Sequence, residues 1–302
     1  MLAAVLALVA SSVRAQQPLQ FPSEVRLVEL DVAVTRDNRP APGLAAADFE
    51  VKDSGVPQTV ELVERSRARV HAILLLDTSD SMSGEKLQRL TQAARTFVEG
   101  LASDDAVTLL SFSYRVRILG ETADSPANAG AALARLAAGG TTALVDATSA
   151  ALALADPRRG RSLVLVFSDG DDRLSWTTAR QALDAARQSD VVVHAIGFAA
   201  ARAGGRDRIG PLPNQALRLE GAPGFLERLT QATGGRLWFA DTPGVLGAAF
   251  QSVLEEVRQR YLLRYEPKGV PPGGWHPLEV RVRGTGLAVR CRPGYEAHPA
   301  GP

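Results

Sequence analysis

The stretch ILLLDTSDSMS, residues 73–83, closes an apolar run with an acid and two alternating hydroxyls, Asp77, Ser79 and Ser81. A short apolar run ended by polar residues reads as a strand buried on both faces, and the carboxyl end of such a strand is where open α/β sheets place ligands. Two further segments bring oxygen donors in the same setting. Thr142, with Thr141 beside it, follows a glycine pair in GGTTALVDA, and Asp169 comes just after the apolar run SLVLVF in Ser168-Asp169-Gly170. Two carboxylates and three neutral hydroxyls suit a hard divalent cation such as magnesium, which takes about six oxygens and commonly keeps several waters. So few acids leave the cation electrophilic, and a carboxylate from a partner would complete its shell. The same residues have other uses. The hydroxyl-rich loop could cap a helix starting at Glu85. Asp171 could act as the base of a metal-assisted hydrolase, or Asp171 and Asp172 could be solvated loop acids or helix-start charges.

The elements that must position these residues follow from hydrophobic period. Residues 71–76 predict a central strand, and Leu87, Leu90, Ala94, Phe97, Val98 and Leu101 recur at helical spacing behind it, predicting a helix over 85–101. Apolar runs predict strands at 107–112, 162–167, 191–197 and 237–240, with an edge strand at 116–119. Helical periods fall at 128–136, 143–155, 177–189, 225–233 and 245–259. Alternation of this kind predicts the α/β class, a doubly wound, mainly parallel sheet covered on both faces, with Asp77, Thr142 and Asp169 on one rim. The long loop 199–223 follows a strand and is expected to border that rim and help choose the partner.

Both flanks change to a period of two. Residues 24–36, 49–52 and 58–63 on one side, and 261–265, 278–283 and 287–292 on the other, read as strands. Asp53-Ser54-Gly55, PKGVPPGGW and Gly284-Thr285-Gly286 read as turns between them. Neither flank makes a credible domain alone, but about six strands together predict a discontinuous β-sandwich into which the α/β unit is inserted near residues 66 and 260. The expected organisation is a signal peptide at 1–15, half-sandwich at 16–66, α/β domain at 67–259, half-sandwich at 260–296 and a tail at 297–302.

Near-equal numbers of basic and acidic residues, 34 against 33, with the arginines scattered, argue against a nucleic-acid binder. The apolar N-terminal run is too short to span a bilayer and leads through small residues to Ala15, as a secretory leader does, although no Lys or Arg precedes it. Cys291 is the sole cysteine, which excludes an intrachain disulfide and fits a small buried hydrophobe. His71 and His194 lie in apolar strands and read as structural; His276 and His298 lie in the β tail. No P-loop, Gly-x-Ser-x-Gly, Cys-His pair or His-Glu-x-x-His occurs.

The set Asp77, Ser79, Ser81, Thr142 and Asp169 resembles the metal-ion-dependent adhesion site (MIDAS) of von Willebrand factor type A (VWA) domains: Asp-x-Ser-x-Ser, a Thr in a Gly-rich loop, and an Asp ending a later strand. The resemblance covers about residues 70–258. The flanks, with LDVAVTRDNRPAPGLAAADFEVKDSGVPQTV before and RYLLRYEP and LAVRCRPGYE after, resemble exported VWA-related proteins of the acidobacterial type, for which no settled activity carries over. The resemblance implies a Rossmann-like fold and a bound Mg2+, with Mn2+ or Ca2+ as alternatives. It also implies a non-enzymatic adhesion or scaffold module that takes an Asp or Glu carboxylate from a protein partner. The expected location is the periplasm, cell surface or medium, with membrane association only if the N-terminal segment is retained. A metal-assisted hydrolase and a structural envelope protein are the alternative functions.

Overall fold

The computed structural model describes residues 27–65, 69–119, 126–169, 172–197, 224–240 and 243–297. The expected leader, the loop 199–223, Asp171 and His298 lie outside the described residues. Five strands come first: β1 (Val28–Arg36), β2 (Arg39–Pro40), β3 (Phe49–Asp53), β4 (Val56–Gln58) and β5 (Leu62–Arg65). Next come β6 (Val70–Asp77), α1 (Glu85–Glu99), β7 (Ala106–Phe112), β8 (Val116–Ile118), α2 (Ala129–Leu133), α3 (Leu144–Ala153) and β9 (Arg161–Ser168). The alternation continues through α4 (Ala179–Gln188), β10 (Val192–Gly197), α5 (Phe225–Thr233), β11 (Leu237–Phe239) and α6 (Pro243–Arg258). Four more strands close the chain: β12 (Tyr261–Tyr265), β13 (Gly274–Val282), β14 (Leu287–Arg290) and β15 (Gly294–Ala297).

The central sheet runs β11-β10-β9-β6-β7-β8, parallel throughout except for β8, which pairs antiparallel with β7. All eight residues of β6 are buried. Its alternate side chains serve two cores. Ala72, Leu74 and Leu76 pack with Leu90, Phe97 and Phe250 of α1 and α6, whereas Ile73 and Leu75 pack with Leu144, Leu183 and Leu229 of α3, α4 and α5. Burial on both faces is why these strands read as continuous apolar runs. The chain leaves β6 toward β7 on one side and reaches β9 on the other, so strand order reverses between β6 and β9. Such a reversal opens a crevice at the carboxyl ends, where Asp77 and Asp169 emerge.

The flanking strands form two antiparallel sheets, each drawing on both ends of the chain. One runs β14-β1-β12-β5, with β2 paired to β1, and the other β15-β13-β3-β4. Leu30, Val32 and Leu263 from the first share a core with Phe49, Val51 and Leu278 from the second. Among the described residues these flanks hold nine strands where six were expected. Gly274 and Trp275 were expected to end the turn PKGVPPGGW; they are strand, because β13 pairs with β15 over Gly274–Pro277 and changes partner to β3 from Leu278 onward. Asp53 was expected in a turn and instead ends β3, fully buried, accepting from Tyr265 Oη at 2.9 Å and Tyr295 Oη at 2.7 Å, with His276 Nδ1 2.8 Å away.

Charged side chains join the flanking sheets to the α/β unit. Arg260, 1% exposed, donates from Nη1 to Glu256 Oε1 of α6 (2.8 Å), from Nη2 to the Gly234 carbonyl (3.3 Å), and to Asp31 of β1. Arg161 of β9 also reaches Asp31, at 3.0 Å, and Arg290 of β14 reaches Glu256. Gly234, in the left-handed conformation that ends α5, lies so close to Cys291 that a Cβ would sit 2.4 Å from the Cys291 carbonyl carbon.

Candidate metal centre

Asp77 ends β6, fully buried, beside Ser168 at the end of β9; the strands are in register one residue earlier, Leu76 opposite Phe167. Ser168 Oγ donates to Asp77 Oδ2 at 2.6 Å, and the Ser79 backbone N–H donates to Oδ1 at 2.9 Å. Burial raises the Asp77 carboxyl above its ordinary value, the Ser168 and Ser79 hydrogen bonds oppose this, and the nearby Asp169 charge adds to the rise. Ser79 is buried and Ser81 exposed, and their hydroxyls share a hydrogen bond of 3.1 Å.

The Gly-rich loop is fastened to this turn by two backbone bonds. Asp80 N–H donates to the Gly140 carbonyl at 2.9 Å, and Gly139 N–H to the Thr78 carbonyl at 2.8 Å. Gly140 has φ +88° and packs directly under the Tyr114 ring, where a Cβ would stand 2.4 Å from Cδ1. Thr142 is buried and Thr141 exposed, so the residue turned inward is Thr142. Asp169 Oδ2 lies 3.9 Å from Lys86 Nζ, while Oδ1 is buried without a hydrogen-bond partner among the described residues. A buried carboxylate oxygen left in that state carries its full desolvation cost unless an ion or water meets it.

The structure thus brings Asp77, Ser79 and Ser81 into one turn, binds the Gly139-Gly140 loop to that turn, and sets Asp169 beside Asp77. The helix-cap use of the hydroxyls is not realised: the residue before α1 is Gly84, with φ +70° and no side-chain cap. Among the described residues no group of three or more His, Cys, Asp and Glu side chains is placed to hold a metal, so any cation here would rest mainly on hydroxyls and two acids. Asp172 is exposed and accepts from Val145 N–H at 3.2 Å, at the start of α3, and from Ser175 Oγ at 2.6 Å. Asp80 faces solvent.

Three residues were missed in the sequence. Ser168 orients Asp77, and Lys86 donates to the Ser81 carbonyl at 3.0 Å. Asp146 holds the 172–177 loop, accepting from Trp176 N–H at 2.9 Å and Thr177 N–H at 2.8 Å. Burial pushes the Asp146 carboxyl upward, but those N–H groups outweigh it and hold it below its ordinary value. Asp146 sits inside TALVDA and Ser168 directly before Asp169, so adjacency to the motif was the available signal.

Residues 72–217 match the family model described as the von Willebrand factor type A domain. The matched span lies within the α/β unit and its mainly parallel sheet. Its fold is similar to that of the von Willebrand factor type A protein from Catenulispora acidiphila, with 14% identity, 92% of this chain and 75% of that chain covered, and a TM-score of 0.50. It is also similar to proximal thread matrix protein 1 from the mussel byssus, solved with a zinc-occupied MIDAS motif, at 14% identity, 68% of this chain, 49% of that one and a TM-score of 0.50. BatB from Bacteroides thetaiotaomicron aligns at 18% identity over 63% of this chain and 99% of that chain, with a TM-score of 0.47. No curated protein matches the chain.

Proposed function

We propose that this protein is an exported adhesion or scaffold module whose VWA domain binds a protein partner through a divalent cation. The observation that carries the reading is the convergence of Asp77, Ser79 and Ser81 with Asp169, whose buried Oδ1 has no hydrogen-bond partner among the described residues. Asp77, Ser79, Ser81, Thr142 and Asp169 would hold Mg2+, with Mn2+ or Ca2+ as alternatives. The cation supplies a Lewis-acidic position for an Asp or Glu carboxylate of the partner. The protein's own residues orient the donors. Ser168 and the Ser79 N–H fix the Asp77 carboxylate, and the bonds between the two loops fix the Gly-rich turn.

We read this as a binding centre rather than a catalytic one because the neighbouring acids Asp146 and Asp172 are engaged by backbone N–H groups. The flanks, 16–66 and 260–296, act as two halves of a β-sandwich that carries the domain, after removal of 1–15. Titrating Mg2+ into the protein by calorimetry tests the reading. The expected result is one site per chain, lost in Asp77→Ala and weakened at least about tenfold in Asp169→Asn. Equal Mg2+ binding by a folded Asp77→Ala variant would sink it.

A further inference from the structure

Six large hydrophobic side chains are exposed among the described residues, and three of them, Tyr114, Leu174 and Trp176, stand around the candidate centre. Trp176 is 94% exposed. Its loop is nevertheless pinned. The Trp176 and Thr177 N–H groups bond Asp146, the Arg173 and Leu174 N–H groups bond the Thr142 carbonyl at 2.9 and 3.1 Å, and Ser175 Oγ accepts from Asp146 N–H at 3.0 Å. Tyr114 lies over Gly140, and its loop is joined to the Gly-rich loop by the Ala143 N–H bond to the Ser113 carbonyl at 2.9 Å. A tryptophan and a leucine held in water by a fixed backbone are not buried among the described residues, whereas aromatic side chains on a rigid support are the usual anchors of protein interfaces.

The cation site beside them, with the buried Asp169 Oδ1 unpartnered among the described residues, indicates what would cover them. Lys86 lies at the centre, and Arg115, its guanidinium 5.1 Å from the Tyr114 ring centroid, and Arg173 are on the same rim. The exposed acids there are Asp80 and Asp172, the latter engaged by Val145 N–H and Ser175. A bound dication would balance Asp77 and Asp169, and Lys86, Arg115 and Arg173 stand against Asp80, Asp146 and Asp172, so it is the open coordination position of the cation that calls for a carboxylate.

We infer that Leu174 and Trp176, with Tyr114 on the adjoining loop, form an apolar clamp that selects a partner segment in which the coordinating Asp or Glu is flanked within a few residues by an aromatic or aliphatic side chain. The inference rests on the cation-binding reading above. The clamp contributes by burying side chains next to the carboxylate, so it sets partner choice without holding the metal.

The test uses the full chain, Mg2+, and immobilised short peptides with a central Asp flanked by Phe, Leu or Gly, together with the same peptides carrying Asn in place of Asp. Wild type is expected to bind the Asp peptides with Phe or Leu flanks at least about tenfold more tightly than those with Gly flanks, and only with Mg2+. Trp176→Ala and Leu174→Ala should each remove most of that preference while leaving Mg2+ affinity by calorimetry within about twofold, since burial is what they lose. Flank preference unchanged in the double variant overturns the clamp and leaves the cation reading standing. Failure of the wild type to bind Mg2+ overturns both. Trp176-dependent binding to phosphatidylcholine–phosphatidylglycerol vesicles without Mg2+, or Trp176-dependent dimerisation in sedimentation, in place of peptide binding, likewise overturns the clamp.

Discussion

Lys86 places an ammonium group where a cation would also sit. Its Nζ donates to the Ser81 carbonyl and lies 3.9 Å from Asp169 Oδ2, with the side chain 40% exposed. A neighbouring positive charge offsets part of the repulsion between Asp77 and Asp169 and opposes an incoming dication. In partly solvated surroundings this opposition amounts to about 1 kcal/mol, so Lys86→Met is expected to tighten Mg2+ binding about fivefold, measured by calorimetry at low salt. Unaltered affinity would show that the ammonium does not compete. The threonine pair offers a sharper check. Thr142 is inward and Thr141 outward, so Thr142→Val should weaken Mg2+ binding about tenfold and Thr141→Val should leave it alone. The reverse pattern would move the assignment by one residue. The places of these residues were legible in the sequence because each lies at a strand end or a glycine turn, positions that hydrophobic period and turn chemistry mark locally. Lys86 and Asp146 were not, because what they touch is decided by the packing of α1 and α3 against the loops.

At the scale of elements, the central strands announce themselves by burial on both faces, and the helices by one apolar stripe each. Edge strands lack that signal. β15 reads GYEA and the first half of β13 reads GWHP, and their Gly, Trp, His, Pro and Tyr punctuate turns as readily as they line a sheet edge. Asp53 shows the opposite error: Phe49, Val51 and Asp53 alternate inward along β3, so the strand period itself places the acid inside, where two tyrosines and a histidine meet it. Where β10 meets α6, burial governs titration. His194, fully buried, accepts at Nδ1 from the Arg236 N–H (3.0 Å), so its proton sits on Nε2, 3.7 Å from Glu256 Oε1. Burial lowers its pKa to about 4, against the attraction of Glu256. The unfolded chain titrates this group near 6.5, so below that pH the unfolded state takes up a proton that the native state refuses. Stability from this group is fully present above pH 6.5 and is lost as pH falls toward 4. Between pH 7 and 5 the loss is about 2 kcal/mol. Urea unfolding at the two pH values should show it, and the difference should shrink in His194→Gln whatever that variant's own stability. An equal pH dependence in both proteins would contradict the account.

At the scale of the whole molecule, the α/β unit and the flanking sheets are written in the sequence as separate textures, yet they share one charged seam. Burial alone would raise the Glu256 carboxyl, but His194, Arg260 and Arg290 hold it at about 2. Arg260 comes from the start of β12, Arg290 from β14, and Asp31, which pairs with Arg260 and Arg161, from β1. Removing one partner from such a seam strands a buried charge, at about 3–5 kcal/mol. Two consequences follow from the same contacts. Arg260→Met should destabilise the protein by about that amount, and a fragment of residues 69–259, which keeps Glu256 but loses Arg260, Arg290 and Asp31, should be far less stable than the intact chain. Because the seam belongs to both parts, the full chain should unfold in one transition, with far- and near-ultraviolet circular dichroism sharing a midpoint in urea. Two separated transitions, or a fragment as stable as the α/β part of the whole, would mean that the α/β unit is carried by the flanking sheets as an independent unit and that the ion pairs between them contribute nothing to its stability.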